Sequence, residues 1–105
     1  MMALKILLVD DETVFRTCIR EMKFWENGEF VLSGEAGSGD EALAVLAERE
    51  IDLVLMDVSM PGKNGIVLSE IISRKYPGTA IIAMSSYDDY DYVREILKTA
   101  RMTIF

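Results

Sequence analysis

A chain of 105 residues suits one domain and leaves little room for a second, and with 50% hydrophobic residues it carries enough apolar material for a core. Its formal net charge of -7 at pH 7 argues against nucleic-acid binding by this segment, because the phosphate backbone repels an acidic surface. One cysteine and no histidine exclude an internal disulfide and a Cys/His metal site.

Four short apolar runs predict β-strands, and segments with helical periodicity lie between them. The runs are Lys5–Val9, Phe30–Ser33, Leu53–Met56 and Ala80–Met84. Ile6–Val9 in the first run and Leu53–Met56 in the third are apolar throughout rather than alternating, which is typical of strands that are covered on both faces. Strands that alternate with helices predict βαβ units, and therefore an α/β fold built on a parallel sheet.

The first helical segment carries an apolar stripe. Val14, Cys18, Met22 and Trp25 fall on one face of a helix, at a spacing of three or four residues. We expect this stripe to face the core, with Trp25 at its end. On that interpretation Cys18 is a buried, unreactive thiol.

Three further helices are predicted along the chain. The second begins at Ser38, where Glu41 three residues later completes a capping-box pattern. The third covers Ile66 to Lys75 and ends before Pro77, because proline cannot continue a helix. The fourth covers Tyr92 to Lys98 and follows an acidic stretch.

Carboxylates follow two of the apolar strands. The first strand runs into Asp10, Asp11 and Glu12, and the third runs into Asp57. Ligands of open α/β sheets bind beyond the carboxyl ends of the strands, at the point where the strand order reverses. If these two strands are neighbours there, Asp10, Asp11 and Asp57 converge within a few ångströms.

Three ionised carboxylates at such distances repel one another, so protonation or a cation must offset the repulsion. Mg²⁺ takes one or two protein carboxylates together with a substrate phosphate, and a carboxylate that attacks phosphorus forms an aspartyl phosphate. A lone carboxylate after a strand is more often a helix cap or a solvated loop residue. Acidic residues at the carboxyl ends of two strands favour a functional site.

Four motifs together resemble the successive signatures of response regulator receiver domains of two-component signalling. They are Val9–Glu12, Met56-Asp57, Met60–Gly65 and Met84–Tyr87, in that order, within a similarity that runs from about Lys5 to Lys98. The stretches Trp25–Gly28 and Ser85–Tyr90 are similar to receivers attached to AraC-type DNA-binding domains. The resemblance implies one receiver domain over residues 1–105, with a flavodoxin-like, doubly wound parallel sheet in the strand order 2-1-3-4.

The resemblance also implies a role for each matching residue of the acidic site. Asp57 is the implied phosphoacceptor. Asp11 and Asp57 would ligate Mg²⁺ directly, and Asp10 would assist, often through water. The backbone carbonyl of Ser59 would supply a further oxygen to the metal.

Three more positions match the family near this site. The hydroxyl of Ser85 stands where the family has a Ser or Thr that contacts the phosphoryl group and reports its presence. The alternative for Ser85 is a hydroxyl that caps the end of a strand. Pro61 and Gly65 would shape the loop after the phosphoacceptor.

The C-terminal part departs from the family pattern. Receivers continue into a fifth strand that ends in a Lys, which pairs with the phosphoryl group, and then into a fifth helix. No residue here matches that Lys, and Ala100 stands where a Gly ends the fourth helix. We therefore expect a C-terminally truncated receiver with a partial or absent fifth strand. An uncovered sheet face predicts self-association, by a domain swap for example, or marginal stability.

The implied partner is a sensor histidine kinase, which donates the phosphoryl group. The product would be a switched interaction surface that controls an output such as transcription, without enzymatic turnover. The chain has no membrane-length apolar run and no signal-peptide pattern, so we expect a cytoplasmic protein without membrane contact.

Three alternatives remain open at this point. A pseudo-receiver would bind partners without being phosphorylated, which the missing Lys favours. A small Mg²⁺-dependent aspartyl phosphatase of the haloacid-dehalogenase type would carry Asp-x-Asp-x-Thr after the first strand, and Asp10–Val14 does not fit that pattern. A flavodoxin-like cofactor carrier has the same architecture, but its first loop must hold a phosphate, and Asp10–Glu12 would repel that anion.

Overall fold

A parallel sheet forms the centre of the molecule. The computed structural model describes residues 3–57, 65–84 and 102–104. The strands within these ranges are β1 Leu4–Val9, β2 Phe30–Ala36, β3 Leu53–Asp57, β4 Ala80–Met84 and β5 Met102–Ile104. The predicted order 2-1-3-4 is confirmed, and a three-residue β5 extends it, as expected for a partial fifth strand.

Three α-helices and one 3₁₀ helix accompany the sheet in the described ranges. They are α1 Thr13–Arg20, the 3₁₀ helix Lys23–Asn27, α2 Gly39–Glu48 and α3 Gly65–Lys75. The predicted start of α2 is confirmed, because the Ser38 hydroxyl accepts a hydrogen bond from the Glu41 N–H at 3.2 Å. The helix predicted for Tyr92 to Lys98 lies outside the described residues.

The core lies on the face of the sheet that α2 and α3 cover. Buried strand residues alternate with residues of the other face, as the two-residue period of a strand requires. They pack against apolar side chains of the two helices, and burial of each large one contributes about 1.5–3 kcal/mol. The core residues are Leu7, Val9, Ala36, Ala42, Leu46, Ile51, Val54, Met56, Leu68, Ile72, Ile81 and Ala83.

The opposite face carries α1, since Glu35 lies on the same side as its register partner Leu8 and contacts two arginines of that helix. Leu8 is fully buried there, whereas Leu55 and Ile82 farther along the sheet are only half-buried. This face is therefore covered less completely than the core face. The described part of the chain does not test self-association, which stays a prediction.

The predicted core stripe of the first helix is wrong. No residue of α1 is buried, and Val14 is 75% exposed. Cys18 is exposed, so the prediction of a buried thiol is also wrong. Trp25 lies in the 3₁₀ helix rather than in α1. It is half-buried, and its Nε1 donates to the Ile19 carbonyl at 2.7 Å. Periodicity identified an apolar face, but it did not identify what covers that face.

Strand order places a switch point between β1 and β3. The chain passes from β1 to β2 on one side and then crosses to β3 on the other, so the carboxyl ends of β1 and β3 lie side by side. Their register pairs Val9 with Met56, which brings Asp10 next to Asp57. Of the helices in the described ranges, none has the length and apolar character that a membrane crossing requires.

Candidate metal centre

Three carboxylates meet at the carboxyl ends of β1 and β3. Asp10, Asp11 and Asp57 each offer one carboxylate oxygen, and these oxygens lie within 4.8 Å of one another. The convergence follows from the strand order and from the register that places Val9 opposite Met56. The sequence expectation for this geometry is met, whereas the chemical roles of the three residues stay predictions.

Asp10 is the buried member of this acidic cluster. Its residue is 6% exposed, and its Oδ1 accepts a hydrogen bond from the Glu12 N–H at 2.8 Å. Burial is the largest cause that raises the pKa of the Asp10 carboxyl above its ordinary value of 3.8. The Glu12 N–H opposes this rise in pKa, and the negative charges of Asp57 and Asp11 add to it. The ionised form of Asp10 is therefore less favourable than that of a free carboxyl, and a bound cation would offset this cost.

The other two carboxylates are more accessible. Asp57, the last residue of β3, is half-buried, and Asp11 is exposed. The acidic cluster thus grades from a buried side at Asp10 to a solvent side at Asp11. A ligand that approaches from solvent meets Asp11 and Asp57 without displacing the core.

The donor set fits a hard divalent cation. Carboxylate oxygens are the ligands that Mg²⁺ prefers, and Mg²⁺ commonly keeps several waters besides one or two carboxylates. A divalent cation among three carboxylates offsets their mutual repulsion and the raised pKa of the Asp10 carboxyl. The exposed side at Asp11 leaves room for the waters.

One arginine supports the acidic cluster from behind. Arg16 on α1 donates from Nη1 to the Asp10 carbonyl oxygen at 2.5 Å, and its Nε lies 3.5 Å from a Glu35 carboxylate oxygen. The sequence pattern does not point to Arg16, since no spacing rule links it to a carbonyl oxygen six residues earlier. The only signal in the sequence is that Arg16 is a basic residue among uncharged residues at the start of the helix.

The remaining predicted site residues are not tested by the described structure. Ser59, Pro61 and Ser85 lie outside the described residues. Gly65 is buried and begins α3, and its predicted role in the preceding loop stays a prediction. The tail position Ala100 also lies outside the described residues.

Comparison with known proteins gives consistent matches. The sequence matches the family described as response regulator receiver domain over residues 6–105. It is 40% identical over 90 residues to the uncharacterized transcriptional regulatory protein YhcZ of Bacillus subtilis, a match that covers 86% of this chain and 42% of YhcZ. It is 37% identical over 90 residues to an uncharacterized response regulatory protein of Staphylococcus epidermidis, covering 86% of this chain and 35% of that protein.

A solved structure matches over nearly the whole chain. The REC domain of AraT, a response regulator from Geobacillus stearothermophilus, superposes with a TM-score of 0.86 at 30% identity. The match covers 98% of this chain and 81% of the AraT domain. Against the two curated relatives, by contrast, the chain spans only about two fifths of their length or less.

Proposed function

The chain belongs to the response regulator receiver domain family, and on that premise we propose that it accepts a phosphoryl group on Asp57 from a sensor histidine kinase. The observation that carries the proposal is the convergence of three carboxylate oxygens within 4.8 Å at the carboxyl ends of β1 and β3. A structural role would not require three mutually repelling carboxylates at one point. In a phosphoryl-transfer site a divalent cation that the carboxylates hold offsets this repulsion.

Asp57 is the best nucleophile of the three. Asp10 is buried with Oδ1 bound to the Glu12 N–H, and Asp11 is exposed after the end of β1. Asp57 closes β3, a strand that is paired on both sides, so its backbone is held while its half-buried side chain stays accessible. A nucleophile held on a rigid strand end keeps its attack direction.

The proposed transfer conserves the phosphoryl group. An Asp57 carboxylate oxygen forms a bond to phosphorus as the P–N bond of the phosphohistidine breaks, and its electron pair passes to the imidazole nitrogen. The residues that would hold Mg²⁺ are Asp10, Asp11, Asp57 and, through its carbonyl, Ser59. When bound, Mg²⁺ would neutralise the carboxylates and the oxygens of the incoming phosphoryl group.

The consequence of transfer is a switch rather than turnover. We propose that the Ser85 hydroxyl contacts the new phosphoryl group and that the surface after β4 changes its partner contacts, as the family resemblance implies. The names of YhcZ and of the other transcriptional regulators that match support transcription as the output. A methylesterase of Hahella chejuensis also matches at 34% identity, so the matching proteins do not share one kind of output. An AraC-type output and a cytoplasmic location stay predictions.

The test is intact mass after incubation with MgCl₂ and acetyl phosphate. We expect a gain of one phosphoryl group in the wild-type chain, labile in base, and no gain in Asp57→Asn. Glu48→Gln, an exposed substitution on α2, serves as the matched control and should gain the group like the wild type. Omission of MgCl₂ with added EDTA should abolish the gain.

Three other results would redirect or contradict the assignment. A folded wild-type chain that binds Mg²⁺ without gaining the phosphoryl group would favour the pseudo-receiver. Steady hydrolysis of a phosphomonoester with many turnovers would favour the aspartyl phosphatase. Equal gain by Asp57→Asn and the wild type would contradict the assignment of Asp57.

A further inference from the structure

Arg16 links α1 to two strands of the sheet. Its side chain is 19% exposed, and the guanidinium reaches both the Asp10 carbonyl oxygen, at 2.5 Å, and the Glu35 carboxylate, at 3.5 Å. Glu35 lies on β2 and is held from a second side by Arg20 Nη1 at 2.8 Å. The Arg16 guanidinium therefore bridges the carboxyl end of β1 and the adjacent strand.

The guanidinium has little room to move. A Cβ placed on Gly37 would come within 3.1 Å of Arg16 Nη1, so the backbone of Gly37 packs closely beside that nitrogen. The Gly37 N–H in turn donates to the Glu41 carboxylate at 3.0 Å, which ties this backbone to the start of α2. The position of Arg16 is thus set by surroundings on several elements.

The atom that Arg16 contacts belongs to the acidic site itself. Asp10 leaves the sheet with its N–H bonded to the Ala36 carbonyl at 3.0 Å, and its carbonyl oxygen is then taken by Arg16. The peptide that joins Asp10 to Asp11 is therefore held on its carbonyl side. Because both carboxylates branch from the residues that this peptide joins, a fixed peptide orientation restricts the positions that their oxygens can reach.

Direct charge neutralisation does not explain the arrangement. Arg16 contacts the carbonyl oxygen of Asp10 rather than its carboxylate, and its own charge lies beside Glu35. The effect of Arg16 on the acidic site is therefore one of geometry.

We propose that Arg16 is a positioning residue for the acidic cluster, which holds the Asp10–Asp11 peptide so that the cluster binds Mg²⁺. The proposal rests on the proposed function, since it assumes that the cluster is a Mg²⁺ site. Groups that orient metal ligands without touching the metal commonly change metal affinity by about 10–100-fold when they are removed.

Calorimetric titration with MgCl₂ tests the proposal on the whole chain. We expect Arg16→Ala to weaken Mg²⁺ affinity by about tenfold or more. The matched control is Arg20→Ala, which removes the other arginine on Glu35 but leaves the Asp10 carbonyl contact in place. It should change the affinity by less than about twofold, a change that falls below the range for groups that orient ligands.

A conservative variant separates positioning from a general loss of stability. Arg16→Lys has a single nitrogen that can reach either the Asp10 carbonyl or Glu35 but not both, so we expect it to recover part of the affinity. Urea unfolding of the metal-free variants supplies the stability of each. If Arg16→Ala does not fold, the comparison of Arg16→Lys with Arg20→Ala decides, and the lysine variant should bind more weakly.

The outcomes distinguish the two proposals. If Arg16→Ala binds Mg²⁺ with the same affinity as the wild type, the role of Arg16 is overturned and the Mg²⁺ site stays intact. Where only Arg16→Lys folds, equal affinity of that variant and the wild type has the same meaning. An equal loss of affinity in Arg16→Ala and Arg20→Ala would also overturn it, since it would trace the effect to Glu35. Absence of Mg²⁺ binding by the folded wild type would overturn the proposed function and the inference that depends on it.

Discussion

At the amino ends of the strands the Asp52 carboxylate accepts a hydrogen bond from a backbone N–H, whereas at the carboxyl ends three carboxylates face one another. Asp52 Oδ2 accepts from the Lys5 N–H at 2.8 Å, and the Asp52 N–H donates to the Lys5 carbonyl at 2.8 Å. Its own carbonyl accepts from the Ala80 N–H at 2.9 Å. Asp52 therefore joins three neighbouring strands as a structural residue.

The acidic cluster at the other end has a different character. Asp10, Asp11 and Asp57 bring like charges within 4.8 Å, and the pKa of the buried Asp10 carboxyl rises as a consequence of burial first and of these charges second. The comparison teaches that an aspartate beside a strand is structural or functional according to its partners. Four predictions test this difference, from the largest expected effect to the smallest.

Mg²⁺ should stabilise the fold only by binding at the carboxyl ends of the strands. At a free concentration of about 100 times Kd, binding to the folded state adds about 2.7 kcal/mol to the free energy of unfolding. Asp11→Asn should lose most of this gain, because it removes a predicted direct ligand. Urea unfolding with and without MgCl₂ measures the effect. An undiminished gain in Asp11→Asn would remove that residue from the site.

Asp52→Ala should destabilise the fold without affecting Mg²⁺ binding. It leaves the Lys5 N–H without its carboxylate partner, and the loss of a hydrogen bond to a charged group costs about 2 kcal/mol. Asp52→Asn keeps an acceptor oxygen and should lose less. Urea unfolding and calorimetry on the same preparations measure both quantities. Weakened Mg²⁺ binding at unchanged stability would contradict the distinction between the amino and carboxyl ends of the strands.

Asp10→Asn should stabilise the metal-free chain at neutral pH. The folded-state pKa of Asp10 is raised above 3.8, so the folded state binds more protons and loses stability as the pH rises from 3.8 through the folded pKa. Asn keeps an oxygen for the Glu12 N–H and removes the charge, so we expect a gain in stability that is smaller than the loss in Asp52→Ala. Thermal unfolding in EDTA across pH checks this, and the gain should vanish below 3.8. A destabilised variant at neutral pH would contradict the charge argument.

Glu50→Gln should change almost nothing. Its carboxylate lies 4.0 Å from Lys5 Nζ and is 78% exposed, so the ion pair at this amino end is screened by water. We expect the free energy of unfolding to stay within about 0.5 kcal/mol of the wild-type value. Urea unfolding at low and high salt is the measurement. A larger loss that disappears in salt would show a stronger pair than the distance implies.

The sequence by itself determined the element order and the composition of the acidic site. Uninterrupted apolar runs identified the buried strands, Ser38 and Glu41 identified the start of α2, and the acidic residues after two strands identified the site. These features are local, because periodicity, capping and strand ends depend on residues that are close in the chain. The alternation of strands and helices predicted a parallel sheet, whereas the strand order 2-1-3-4 came from the resemblance to receiver domains.

The tertiary structure alone decided which side chains are covered and which partners they find. Val14 and Cys18 form part of an apolar stripe and yet are exposed, because cover comes from elements distant in sequence. Asp52 pairs with Lys5 across 47 positions, and Arg16 reaches a carbonyl oxygen that only the turn out of β1 places within its reach. Such contacts depend on register and on the packing of α1 against the sheet, and neither leaves a periodic signal in the chain.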